Sequence, residues 1–189
     1  IEAESVVVAF ERSLLEAMPK VAVATTTNLV ERLRVVKDKH EIEATREACR
    51  LAERAFEAVR ALITPKMTEA DLATELEYRA RRFGAKGLSL PAIVAAGPRS
   101  ALPHARPSQV PITVGGFVLV DWGASAGGYA SDLTRILVTA KISPKLRKVY
   151  GVVLTAQLAA IDAIRPGVTC EQVDCVARKI ISKSGLGEF

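Results

Sequence analysis

The chain is poor in aromatic side chains and histidine, and it contains no long apolar run. Phe, Trp and Tyr together make up 5% of its 189 residues, with one Trp. So few rings offer few platforms for stacked bases, and no nucleic-acid partner is expected despite a net charge of +5. No stretch approaches the ~20 apolar residues that a membrane crossing needs, so no membrane partner is expected either. There are three cysteines, Cys49, Cys170 and Cys175, an odd count without zinc-knuckle spacing. They read as reduced thiols of a cytoplasmic protein. The first residue is Ile1 rather than Met, so the lack of a leader here says nothing about targeting.

What is present is ordinary for a globular chain: 49% hydrophobic and 25% charged residues. Ser5 to Phe10 reads as a strand, Glu11 to Met18 as a helix and Val21 to Ala24 as another strand. From about Asp38 a helix carries an apolar stripe of Ile42, Cys49, Ala52, Phe56, Val59 and Ile63. Pro65 ends it. Thr68 to Asp71 resembles a capping box that starts a second helix, with Leu72, Leu76, Ala80 and Phe83 as its buried face. Between Leu88 and about Val138 the period changes to two, with Gly and Pro punctuation, which predicts strands. Ser143-Pro144 then opens another helix.

The second helical stretch repeats the first. Residues 63–68 (Ile-Thr-Pro-Lys-Met-Thr) align with 164–169 (Ile-Arg-Pro-Gly-Val-Thr), an offset of 101. Thr68 to Gly84 and Thr169 to Gly185 both span 16 positions. The first copy is followed by strand-rich sequence and the second by four residues. The expectation is an α+β chain that forms the first part of a pseudo-symmetric fold, an antiparallel sheet covered by helices.

The chemistry concentrates in residues 117–136, which read as strand, Gly-rich turn, strand. With the turn centred on Ala126-Gly127, Asp121 faces Asp132 across the ladder. Phe117 and Leu119 share the face of Asp121, while Thr134 and Ile136 share that of Asp132. Val118, Val120, Trp122 and Leu133 line the other side, so both faces look covered. Two facing buried carboxylates must either share a proton or hold a cation, and oxygen ligands at this separation suit divalent metal. The blander alternative leaves both at strand ends in water, or paired with Arg135 and a lysine. A one-residue slip would remove the facing pair. His104 sits in a loop bracketed by Pro103 and Pro107, which would hold its ring rigidly; His40, in a charged run, reads as solvated. No dinucleotide or phosphate-binding fingerprint is present.

Taken together these segments resemble the pita-bread metallopeptidase family of Xaa-Pro aminopeptidases, Xaa-Pro dipeptidases (prolidases) and methionine aminopeptidases. The resemblance runs from about Leu33 to Phe189. It is carried by Leu33 to Lys37 leading into Glu41-Ile42, by the Pro-x-Met-Thr-Glu turn at 65–69, and by Ile93 to Gly97. Ala101 to His104, Val120 to Ala124 and Gly128 to Arg135 complete it. The Leu-Pro-His loop and the Gly-Tyr-x-Ser-Asp-x-Thr-Arg string look like the Xaa-Pro branch. Lys66 departs from the Gly usual in that turn.

The resemblance implies a two-metal site with five protein ligands. Asp121 and Asp132 match the first two, with Asp132 bridging the metals, and His104 matches a histidine that contacts substrate. The remaining His and two Glu ligands belong to the second half of the family's domain. Mn, Co or Zn all suit such a site. The implied reaction is hydrolysis of peptides with Pro at the second position, by a full-length homodimer. Residues 1–32 fit the tail of an N-terminal domain, and 33–189 the first part of the catalytic domain. With two of five ligands, the 189-residue chain alone is expected to be inactive and to leave apolar surface uncovered. The alternatives are a non-catalytic binding module of the same fold, a creatinase-like hydrolase that works without metal, and a generic α+β binding domain.

Overall fold

The computed structural model describes residues 1–188. Helices α1 (Val8–Ala17) and α2 (Leu29–Val35) open the chain. The strands expected at 5–10 and 21–24 do not form. Their neighbourhood holds one parallel bridge, between Glu2 and Thr26, and Val8 and Phe10 are exposed on α1. β-branched residues alone do not make a strand where no sheet edge is at hand to pair with.

Helix α3 (Lys39–Arg60) starts at Asp38, which forms a reciprocal capping box with Glu41. It buries Ala48, Leu51, Ala52, Ala55, Phe56 and Val59. The stripe lies further along the helix than its first residues suggest: Ile42 is exposed and Cys49 half-buried. Helix α4 (Glu69–Arg82) starts at the Thr68–Asp71 capping box and buries Leu72, Leu76 and Ala80 as expected.

The strand region follows the predicted change of period. It contains β1 (Gly87–Leu88), β2 (Ile93–Ala96), β3 (Phe117–Trp122), β4 (Ala124–Ala126), β5 (Tyr129–Ala130) and β6 (Leu133–Val138). They form two antiparallel three-stranded sheets, ordered β2-β3-β6 and β1-β4-β5. The two share one long hairpin that is bent at Gly123 on one arm and at Ser131-Asp132 on the other. Helices α5 (Pro144–Asp162) and α6 (Cys170–Lys183) follow. They repeat the α3–α4 pair down to the caps: Thr169 forms its capping box with Gln172 as Thr68 does with Asp71.

The core lies between α3, α4 and one face of β2-β3-β6. Val94, Val118, Val120 and Trp122 project into it and are at most 1% exposed. The opposite face of β3, with Phe117, Leu119 and Asp121, is half-buried. Thr134 on β6 is exposed, so the expectation that both faces are covered is corrected on this side. Uncovered apolar surface continues onto α5, where Val153, Leu158 and Ile161 are exposed. α6 buries no residue.

Trp122 ties the core to the hairpin. Its ring stacks on Phe56 with centroids 4.5 Å apart, and its Nε1 donates to the Ala52 carbonyl at 3.1 Å. Trp122→Ala should therefore cost about 3–5 kcal/mol in urea unfolding. The transition must be followed by circular dichroism, because the variant has no Trp. A loss below about 1 kcal/mol would contradict this packing.

Candidate metal centre

Asp121 is the penultimate residue of β3, between Ile93 on β2 and Thr134 on β6. Asp132 follows β5, where the ladder is interrupted. The turn of the hairpin falls on Gly127-Gly128, both at positive φ (57° and 85°), as a two-residue turn of right-handed twist requires. It does not fall on Ala126-Gly127. The register is therefore displaced by two residues from the expected one, and Asp121 faces Thr134 rather than Asp132. An even displacement preserves the face. Asp132 becomes the diagonal neighbour of Asp121, still within reach of it.

The two carboxylates do meet. Burial, and then the charge of Asp132, push Asp121 above the ordinary aspartate range. The Thr134 hydroxyl opposes that shift, direct side-chain interaction with Asp132 adds to it, and His104 opposes it from further away. Asp121 Oδ1 is buried and accepts no hydrogen bond. The surroundings differ from a fully buried pair, because Asp132 is exposed and Asp121 half-buried. Neither carboxylate is paired with Arg135, whose Nη1 donates to the Thr134 carbonyl.

His104 lies in the loop after β2, in a left-handed conformation with φ 55°. Its side chain is exposed. A non-glycine residue in that region is uncommon and marks a loop whose path is set by its surroundings. Of the three residues singled out from sequence, Asp121 and Asp132 are brought together, while His104 is close enough only for its charge to be felt by Asp121. Among the described residues no group of three or more His, Cys, Asp and Glu is assembled to hold a metal ion.

The hairpin is fastened to α3 on the face opposite these carboxylates. Ser131 Oγ donates to the Ala48 carbonyl and accepts from the Ala124 amide, each at 3.0 Å. The Tyr129 hydroxyl donates to Glu41. That bond holds Glu41 below the usual carboxylate range and pushes Tyr129 up. With Trp122 on Ala52, three side chains of the hairpin grip one stripe of α3. Sequence reading missed this arrangement and also Thr134. The adjacent pair Gly127-Gly128 was the signal that would have placed Thr134 opposite Asp121.

A second omission is Glu69, whose side chain is 0% exposed. Burial pushes its pKa up, but the Ser108 hydroxyl, the Ala96 amide, Arg99 and the Ser108 amide outweigh that and hold it below the usual carboxylate range. It was read only as the end of the Pro-x-Met-Thr-Glu turn; its donors lie 27 to 39 residues away in sequence, so no local pattern shows its burial.

Residues 43–189 match the model of metallopeptidase family M24. The chain belongs to this family. Among curated relatives, the Xaa-Pro dipeptidase of Pyrococcus furiosus is 38% identical over 162 residues, which are 86% of this chain and 47% of the relative. The Xaa-Pro dipeptidase of Bacillus anthracis superposes with a TM-score of 0.95 at 37% identity, over 100% of this chain and 53% of that one. The X-Pro aminopeptidase of Thermotoga maritima does so with a TM-score of 0.90 at 36% identity, over 98% and 53%. The M24 chain thus spans about half the length of the relatives it matches. Its mixed helix and antiparallel-sheet architecture matches that of pita-bread prolidases, as the sequence led one to expect.

The family implies divalent metal ions, and the residues present fit them. A buried, unpartnered carboxylate oxygen beside a second carboxylate is costly without a cation, and hard oxygen donors suit Mn or other divalent ions.

Proposed function

We propose that this M24 chain supplies the first two ligands, Asp121 and Asp132, of a metal-dependent peptidase that hydrolyses peptides with Pro at the second position. The observation that carries the reading is Asp121 Oδ1, buried and without a partner next to Asp132. The names of the relatives, Xaa-Pro dipeptidases among them, support the substrate class.

Two bound divalent ions would lower the pKa of a water and polarise the scissile carbonyl. On this reading Asp121 and Asp132 hold the ions against one edge of the site and keep their own charges compensated. Thr134 orients the Asp121 carboxylate from across the ladder. His104, exposed at the edge of the site, offers an imidazole nitrogen to hydrogen-bond the reacting amide or to carry a proton. Phe117, Leu119 and Ile136 give the same sheet face an apolar floor. Residues 33–189 would be part of the catalytic domain and 1–32 the tail of a preceding one. Three free cysteines fit a cytoplasmic enzyme.

The test compares an Xaa-Pro dipeptide with the same dipeptide lacking Pro, using the complete protein. Cleavage should favour the Pro substrate, stop on exhaustive chelation and return with Mn²⁺. The 189-residue chain by itself should be inactive. Activity indifferent to chelation would reject the metal reading in favour of a metal-independent hydrolase. No cleavage at all would favour a binding module.

A further inference from the structure

The loop that carries His104 closes on a single buried carboxylate. Glu69, the first residue of α4, accepts from the Ala96 amide at 2.8 Å, where the loop leaves β2. It accepts from the Ser108 amide at 3.0 Å and the Ser108 hydroxyl at 2.6 Å, where the loop ends. From within the loop, Arg99 Nε contacts both carboxylate oxygens, at 3.0 and 3.1 Å. Arg99 then reaches across, its Nη2 donating to the Arg106 carbonyl at 2.8 Å, two residues past His104. The start of α4 adds two backbone bonds to the same segment, Glu69 N to the Val110 carbonyl and Ala70 N to the Ser108 carbonyl.

Entry, interior and exit of an eleven-residue loop, 97–107, therefore converge on Glu69. Helix stability alone does not call for this. The N-cap duties of α4 are already met by Thr68 and Asp71. A buried charge is costly unless it is well hydrogen-bonded, and here the donors are Ala96 and Ser108, which flank the loop, and Arg99 within it. What the loop holds at the far end is His104, in a backbone conformation that an isolated chain would leave.

We propose that Glu69 is a positioning residue: it clamps loop 97–107 so that His104 is presented to the Asp121–Asp132 pair. The proposal rests on the reading of His104 given above. Glu69 itself touches neither metal ligand nor substrate.

The test uses Glu69→Gln and the milder Ser108→Ala in the complete protein, with three readouts. Amide hydrogen exchange is measured at 97–108 and in α3, kinetics on an Xaa-Pro dipeptide, and Mn²⁺ affinity by calorimetry. In Glu69→Gln, exchange at 97–108 should accelerate well beyond any change in α3. kcat should fall about 10- to 100-fold, as misplacement of a group by about 1 Å does, with KM and Mn²⁺ affinity changed by less than about threefold. Ser108→Ala should move exchange and kcat the same way by less, and it decides the matter if Glu69→Gln does not fold. Unchanged local exchange, or a kcat that holds while only thermal stability drops, would overturn the clamp. If the unsubstituted protein shows no Xaa-Pro cleavage, it is the functional reading that fails. Exchange at 97–108 then still decides for or against the clamp.

Discussion

Asn in place of Asp121, or of Asp132, is expected to abolish high-affinity Mn²⁺ binding by the complete protein. The expectation follows from charge. Two carboxylates within reach of each other repel, and one of them, Asp121, has a buried oxygen that accepts nothing. A divalent cation relieves both penalties, and one neutral amide removes half the charge that this pair offers it. The metal-free protein should respond in the opposite sense. The folded chain holds Asp121 above the ordinary aspartate range, so the folded state favours its protonated form. Stability then falls as pH rises through that raised value, and at neutral pH the ionised carboxylate is a burden. Asp121→Asn should leave the chelated protein as stable as the wild type or more so. Thermal scans with EDTA and with Mn²⁺ separate the two effects. Wild type should gain about 2.7 kcal/mol at a hundredfold excess of Mn²⁺ over Kd, and both variants close to nothing. An Asp121→Asn protein that gained as much as wild type would sink the assignment.

How far the sequence carried this reading can be seen at particular residues. Thr68 and Ser143 were legible because a cap is a local device, set by a side chain and a backbone amide three residues on, whereas the cap at Asp38 was not read. The repeat was legible for the same reason. The facing of Asp121 and Asp132 was legible only as to side: alternation fixes which face a residue takes, and a two-residue error in the turn leaves that unchanged. What stood opposite Asp121 was therefore missed. Glu69 was legible only as the last residue of the Pro-x-Met-Thr-Glu turn, not as a buried group. A Glu at the first position of a helix is a common surface choice, favoured by the helix dipole. Its burial depends on Ala96, Arg99 and Ser108 arriving from a loop whose path the local pattern does not fix. The strands expected at 5–10 and 21–24 failed from the opposite cause. Their composition suited a sheet, but pairing partners decide a strand, and here one bridge formed.

Ala in place of Gly123 is expected to prevent the native hairpin from forming. A Cβ built at 123 would lie 1.8 Å from the Ser131 carbonyl oxygen and 2.1 Å from Ser89 Oγ. Neither neighbour is free to retreat. Ser89 Oγ donates to that same carbonyl at 2.6 Å, and the Ser89 amide donates to the Gly123 carbonyl at 3.1 Å. Ser131 is held by its amide on the Ala124 carbonyl and by its hydroxyl on Ala48. The methyl must therefore displace backbone at the bend, directly between Asp121 and Asp132. The cost should exceed about 4 kcal/mol, the range reached when packing and a hydrogen-bond network fail together. A second substitution, Ser89→Ala, removes the closer side-chain obstacle but leaves the carbonyl in place. It should recover only a minor part of the loss. Thermal and urea unfolding of the single and double variants measure this, and Mn²⁺ calorimetry on whatever folds reports the geometry of the carboxylates. A Gly123→Ala protein melting within about 2 °C of wild type would mean that the two arms of the hairpin do not approach so closely. In that case Asp132 would not be delivered to Asp121 by the bend, and the two carboxylates would have to be brought together by the metal itself.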